Sequence, residues 1–319
     1  MTHTDNRRLR VVAALGGNAL LRRGEPAEAA RQVERVREAV DSLTAVAEKH
    51  DLILTHGNGP QVGLLALQQA AYPDVAPYPL DFLGAETQGM IGYALAQVLR
   101  SRLPDRESAV ILTQVVVDRA DPAFQRPTKP VGPVYDEEEA RRLSSERGWK
   151  VAPDGPYYRR VVSSPEPRRI VEINVIRQLV ESGVLVVCSG GGGVPVVLSD
   201  QGLCGVEAVI DKDLTAALLA RELCADVLLI LTDVPCVVSG WGTDQAAPIR
   251  EATVSDLQQL DLASGSMGPK VEAACRFAES GGRAAIGLLS EAAALVDGVA
   301  GTQVTASRRE MGSASPTRR

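Results

Sequence analysis

Among the chain's five lysines, Lys129, Lys212 and Lys270 stand in company that a plain surface charge does not need. Lys212 lies in "VIDKDLTAALLA", between Asp211 and Asp213 at the start of a helix-like run. Lys270 lies in "GSMGPKVEAA", where Gly268 and Pro269 introduce a helix and aim its first amides outward. Lys129 lies in "RPTKPVGPVY", with Pro127 and Pro130 stiffening its backbone. Read locally, these are a helix N-terminus with favourable carboxylates, a surface lysine and a solvated loop charge. Read beside three glycine loops, "LGGN" (15–18), "HGNGPQVG" (56–63) and "GGGG" (190–193), they suit the handling of phosphate. Phosphoryl transfer asks little covalent work of a protein. It asks for positive charge over the moving group and amides around its oxygens, and lysines on separate glycine-bearing elements, with Asp213 to orient them, meet that need.

Other chemistries lack their residues. There is no G-x-x-x-x-G-K-[ST], no G-x-G-x-x-G opening a first βα turn and no G-x-S-x-G. His3, His50 and His56 have no metal-ligand spacing, and His56, at the mouth of the second glycine loop, reads as structural. No metal ligand set is expected.

The elements that must hold these residues are short apolar runs alternating with helical patterns. The runs are "RVVAAL", "LILTHG", "AVILTQVVV", "VLVVCSG", "DVLLILTD" and "AAIGLL". Val33, Val36, Val40, Leu43 and Val46 mark one amphipathic helix, Ile170, Ile173, Ile176 and Val180 a second, and Val271, Ala274, Cys275 and Ala278 a third. The alternation predicts an α/β fold with a mainly parallel sheet covered by helices on both faces. Each glycine loop follows a predicted strand, and the carboxyl ends of such strands line the ligand crevice. From about 118 to 166, seven prolines interleaved with charges and tyrosines break the rhythm and predict an inserted lid-like subdomain.

A net charge of −6 over 319 residues argues against a nucleic-acid or membrane-surface role. Residues 182–199 are uncharged, but Gly190–Gly193 and Pro195 divide them into runs too short to span a bilayer. Five cysteines without C-x-x-C spacing suggest reduced, cytoplasmic surroundings. The N-terminal segment does not read as a secretory signal, and the polar end, 307–319, reads as a flexible tail.

From Val11 to Gly301 the chain resembles the carbamate kinases, within the amino acid kinase superfamily. The resemblance is carried, in order, by "LGGNAL", "THGNGPQVG", "QGMIGYALAQ", "PTKPVGPVY", "RRVVSSPEP", "GGGGVPVV", "GVEAVIDKDLTAALLA", "LTDV" and "GSMGPKVEAA". It implies a three-layer α/β/α sandwich with a central, mainly parallel open sheet, working as a homodimer. It further implies reversible phosphoryl transfer between carbamoyl phosphate and MgADP, giving ATP and carbamate. An N-terminal lobe, 1–200, would hold carbamoyl phosphate at Gly16, Gly17, Asn18, Gly57, Asn58 and Gly59, under a lid at 118–166. A C-terminal lobe, 201–306, would hold nucleotide, with Gly191, Gly192, Asp211, Asp233, Met267 and Gly268 as its contacts. Where the superfamily often carries a lysine just before "LGG", this chain has Ala14, and Lys212 resembles its replacement over the transferring group. Lys270 then faces the nucleotide's terminal phosphate, Asp213 holds both lysines, and Lys129 reaches down from the lid. Glu86 and Thr87 in "GAETQGM" and Pro235 in "LTDVPCV" depart from the family pattern. Glu86 keeps open a kinase for another small carboxylate or carbamate analogue. A non-catalytic nucleotide-binding regulator is the third reading, and the presence of all three lysines speaks against it.

Overall fold

A computed structural model describes residues 7–21, 25–72, 74–260 and 267–307. Its main sheet has eight strands: β1 (Arg10–Leu15), β2 (Asp51–His56), β3 (Ser108–Val110), β4 (Leu185–Val187), β5 (Val227–Thr232), β6 (Glu251–Thr253), β7 (Arg283–Leu288) and β8 (Thr302–Thr305). Their spatial order is β6-β8-β7-β5-β1-β2-β4-β3, and every pairing is parallel except β7 with β8. Val11, Ala13 and Leu15 of β1 point into one core while Val12 and Ala14 point into another. A strand buried on both faces cannot alternate apolar with polar, which is why β1, β2, β5 and β7 read as unbroken apolar runs.

The α-helices among the described residues are α1 (Ala29–Lys49), α2 (Gly59–Ala70), α3 (Leu80–Arg102), α4 (Glu137–Arg147), α5 (Ile173–Glu181), α6 (Lys212–Glu222), α7 (Val254–Gln258), α8 (Met267–Glu279) and α9 (Ala292–Val296). α1 and α3 close one face with Val36, Val40, Leu43, Leu95 and Leu99. α5, α6 and α8 close the other with Ile176, Ala216, Leu219 and Ala274. The result is the expected α/β/α sandwich with an open, mainly parallel sheet. No helix among the described residues is long and apolar enough to cross a membrane.

Two sequence expectations are corrected. The run 109–117 is not one strand: Ser108–Val110 joins the main sheet, whereas Gln114–Val116 joins a second, four-stranded sheet with Val194–Ser199, Gly202–Gly205 and Arg169–Ile170. Gln88 of α3 grips the chain at the break. Its side chain accepts from the Thr113 amide at 2.8 Å and donates to the Thr113 carbonyl at 3.0 Å, and that carbonyl also accepts from the Val194 amide at 2.8 Å, which turns the chain from the main sheet into the second one. Ile170 does not continue the stripe of α5; it ends a strand paired with Val115. A division at residue 200 falls in the turn between Val194–Ser199 and Gly202–Gly205, and β1 pairs directly with β5 across the two halves. The tail, from 308 onward, lies outside the described residues.

The insert holds an antiparallel sheet of Lys129–Tyr135, Tyr157–Val162 and Val151–Asp154, plus α4. Asp136 caps α4, accepting from the Glu139 amide at 2.8 Å. Val131 and Val162 of the insert pack on Val62, Leu80 and Leu83 of the body, around a point where Gly63 of α2 meets Gly132. A Cβ on Gly63 would lie 2.3 Å from the Gly132 Cα, so any side chain there pushes the insert away. Gly63→Ala is expected to lower stability by about 1–3 kcal/mol, the usual range for overpacking. Urea unfolding reads it, and an unchanged midpoint would show that this contact does not seat the insert.

Candidate functional site

The carboxyl ends of β1, β2, β4 and β5 meet at one edge of the sheet, and the glycine loops follow three of them. The loops touch one another without side chains between them. The Gly57 amide donates to the Leu15 carbonyl at 3.0 Å, and a Cβ on Gly57 would lie 3.0 Å from the Gly17 nitrogen. Gly190–Gly192 make a single tight turn after Ser189, itself left-handed at φ 53. At Gly191, φ is +66 and an added Cβ would fall 2.1 Å from Asn58 Nδ2, so both backbone and space require glycine. The other three glycines of the run have close neighbours of their own: an added Cβ would fall 2.3 Å from His56 Nε2 at Gly190, 2.4 Å from the Ile210 carbonyl oxygen at Gly192 and 2.3 Å from Val115 Cγ2 at Gly193.

Beneath the loops lies His56, buried, with Nδ1 donating to the Gly57 carbonyl at 3.0 Å. Its Nε2 faces Gly190, where a Cβ would come within 2.3 Å. Burial, reinforced by the nearby Lys212 charge, pushes the imidazole down to about 4, so it is neutral at pH 7 and structural, as the sequence suggested.

The lysines converge on two carboxylates. Asp211 caps α6, its Oδ1 accepting from the Asp213 amide at 2.8 Å and the Leu214 amide at 3.3 Å, which places Lys212 and Asp213 in the first turn. Lys212 Nζ lies 2.5 Å from Asp213 Oδ1, and Lys270 Nζ, from the first turn of α8, lies 3.0 Å from Oδ2. Lys129 of the insert pairs with Asp211 Oδ2. The Asp213 side chain is only 5% exposed, and those of Lys212 and Lys270 are each 12% exposed. Burial pushes the Asp213 carboxyl up, but Lys212 and Lys270 together outweigh it and hold it at about 2. Burial, helped by the Lys270 charge, lowers Lys212 against the pull of Asp213.

Two cavities open on this cluster. A smaller one, about 200 Å³, is lined by Gly57, Asn58, Gly59, Lys129, Gly191 and Lys212. A larger one, about 360 Å³, is lined by Gly16, Arg35, Thr232, Asp233, Lys270 and Leu289. Gly17 lines both. Asn18 sits in the short turn Gly17–Ala19. Of the residues assigned to nucleotide, Asp233 lines the larger cavity, whereas Gly191 lines the smaller one. Gly192 packs on Ile210, where a Cβ would fall 2.4 Å from the carbonyl oxygen. Both Asp211 oxygens are engaged within the protein. Met267 and Gly268 open α8 beside Lys270, and Glu86 is exposed on α3.

Sequence reasoning missed the supports. Arg35, on the buried side of α1, bonds Glu25 at 2.6 Å and Glu38 at 2.7 Å at the wall of the larger cavity. A charge set among Val33, Val36 and Val40 was its signal. Thr113 Oγ1 accepts from the Ser189 amide at 2.9 Å, tying the glycine turn to the residue that Gln88 grips, and no local spacing announces that.

The model of the Amino acid kinase family matches residues 9–286. The carbamate kinase of Haemophilus influenzae is 53% identical over 300 residues, covering 93% of this chain and 97% of that one. The carbamate kinase of Pyrococcus furiosus is 48% identical over 310 residues, covering 92% and 98%. Among solved structures, the carbamate kinase from Giardia lamblia bound to AMP-PNP superposes with a TM-score of 0.86 at 37% identity, covering 94% of this chain and 99% of that one.

His56 supplies a pH test of the loop packing. The unfolded chain binds a proton at His56 near pH 6.5 and the folded protein only near 4, so stability falls as pH drops through that window. The loss amounts to roughly 3 kcal/mol, at about 1.36 kcal/mol per unit. Urea midpoints taken between pH 6.5 and 4.5 should fall more steeply for the wild type than for His56→Asn; equal slopes would contradict a buried neutral imidazole.

Proposed function

The chain belongs to the amino acid kinase family, and on that premise we propose that it is a carbamate kinase, moving a phosphoryl group between carbamoyl phosphate and MgADP. One observation carries this reading: Asp213 holds Lys212 toward one cavity and Lys270 toward another, and the two cavities share Gly17. The smaller suits a carbamoyl group. The larger, with Asp233 and Leu289 on its walls, suits a nucleotide.

In the ATP-forming direction, a β-phosphate oxygen of ADP forms a bond to phosphorus while the bond from phosphorus to the carbamoyl oxygen breaks. Carbamate leaves with that electron pair. Negative charge spreads over the phosphoryl oxygens during this passage, and nothing covalent is required of the protein. Lys212, largely shielded from water, stabilises that charge more strongly than an exposed lysine can. Lys270 meets the nucleotide's terminal phosphate. Asp213 keeps the two ammonium groups on either side of the path, and the loops at Gly16, Gly17, Gly57 and Gly59 offer amides without side chains in the way. Lys129, while paired with Asp211, has N–H donors left for the substrate phosphate.

Magnesium enters as part of the nucleotide substrate. Among the described residues no group of three or more His, Cys, Asp or Glu side chains is gathered to hold a metal ion. A second copy of the chain is the partner we assign to the outer side of α3, where Phe82 and Tyr93 stand exposed. Cytoplasmic surroundings suit its five unbridged cysteines.

Purified protein given MgADP and carbamoyl phosphate should form ATP in a coupled assay, and silence with ADP still bound would reject this assignment. Lys212→Ala should lower kcat by about 10²–10³, the scale for losing one preorganised stabilising group, with ADP affinity nearly unchanged. Equal losses in turnover and ADP binding would move Lys212 out of the transition state. Tyr93→Arg should shift the mass measured by light scattering from two chains to one; a single-chain wild type would remove the dimer.

A further inference from the structure

Asn58 lines the smaller cavity with Lys129, Gly191 and Lys212. Its Nδ2 donates to Thr87 Oγ1 at 2.8 Å, and Thr87 Oγ1 donates to the Gly84 carbonyl at 2.7 Å within α3. The direction of these bonds follows from chemistry. A backbone carbonyl only accepts and a hydroxyl has one proton, so Thr87 gives its proton to Gly84 and accepts from Asn58. The Asn58 atom facing Thr87 is therefore its amide nitrogen. Oδ1 is left as an acceptor that no donor among the described residues engages.

This orientation is held firmly. Thr87 is completely buried. The Asn58 amide also lies against Gly191, where a Cβ would come 2.1–2.6 Å from Nδ2, Cγ and Oδ1. Turning the amide over would set an oxygen against a hydroxyl whose proton is already engaged, leaving buried groups unmatched.

We infer that Asn58 Oδ1, oriented through Thr87, accepts a hydrogen bond from the amino N–H of the carbamoyl group and thereby distinguishes it from acyl groups that carry methyl there. Thr87 is a positioning residue, touching Asn58 and not the substrate. The inference rests on the carbamate kinase reading and deepens it. An acceptor on the wall of a small cavity matters most when the incoming group cannot donate, because the methyl analogue then displaces water from Oδ1 and returns nothing.

Carbamoyl phosphate and acetyl phosphate differ at this position, amino against methyl, and both can be offered with MgADP. The wild type is expected to favour carbamoyl phosphate in kcat/KM by about tenfold or more. Thr87→Val keeps the shape and removes the hydroxyl, so the ratio should fall about tenfold, through loss with carbamoyl phosphate, while ADP affinity holds. Thr87→Ser should restore it. A ratio unchanged in Thr87→Val, a loss shared equally by both donors, or a wild-type ratio near one would overturn the inference. Should Thr87→Val not fold, Asn58→Ala carries the same test, and an unchanged ratio there is equally decisive. A wild type inactive with carbamoyl phosphate is a separate result, and it removes the underlying reading instead.

Discussion

Holding Lys212 and Lys270 close together, largely out of water, is the constraint on which the rest of the site depends. Each ammonium group loses hydration, each repels the other, and Lys212 also stands at a helix N-terminus, the end that disfavours positive charge. A single carboxylate answers all three difficulties. Asp213 presents one oxygen to each lysine, and Asp211 satisfies the α6 amides while pairing with Lys129. Three lysines are thus matched by two carboxylates, which leaves an excess of positive charge at amides that also attract anions. Phosphate chemistry is the natural outlet for such an excess.

The second constraint is steric. Loops from separate strands must bring backbone amides to one small space, and each Cβ removed brings them closer. Gly17 against Gly57 and Gly191 against Asn58 show this at van der Waals distance. Closeness alone does not keep loops in place, and α3 supplies the restraint: Thr87 holds the Asn58 loop, and Gln88 holds Thr113, which in turn holds Ser189. Adjacent residues of one helix therefore fix two of the loops relative to each other.

The parts legible in the sequence are those governed by neighbours along the chain. Strands buried on both faces announce themselves as apolar runs, α1 by its valine spacing, α6 by the Asp211 cap, and the crevice by glycines placed after strands. What stayed hidden depends on groups distant along the chain. The break within 109–117 falls at Thr113, held by Gln88 of α3 and by the Val194 amide, and Ile170 becomes a strand end because Val115 lies beside it. Asp211 shows the limit most clearly: local pattern reads it as a carboxylate at a helix N-terminus and the family resemblance as a nucleotide contact, but only the folded arrangement shows both oxygens already occupied, one by its helix and one by the insert.

That double engagement ties the insert to the first turn of α6. Lys129 lines the small cavity while paired with Asp211, and its ammonium group has three N–H donors, so the pair leaves it donors for an anion there. Asp211 caps α6 through its other oxygen, so Lys212 is held in the first turn independently of that pair. The pair holds a third positive charge at the small cavity and balances it with a carboxylate whose other oxygen serves the helix. A site that kept three lysines together without this carboxylate would carry the full repulsion between them in every empty molecule, and the Asp211 pair spares the fold that cost.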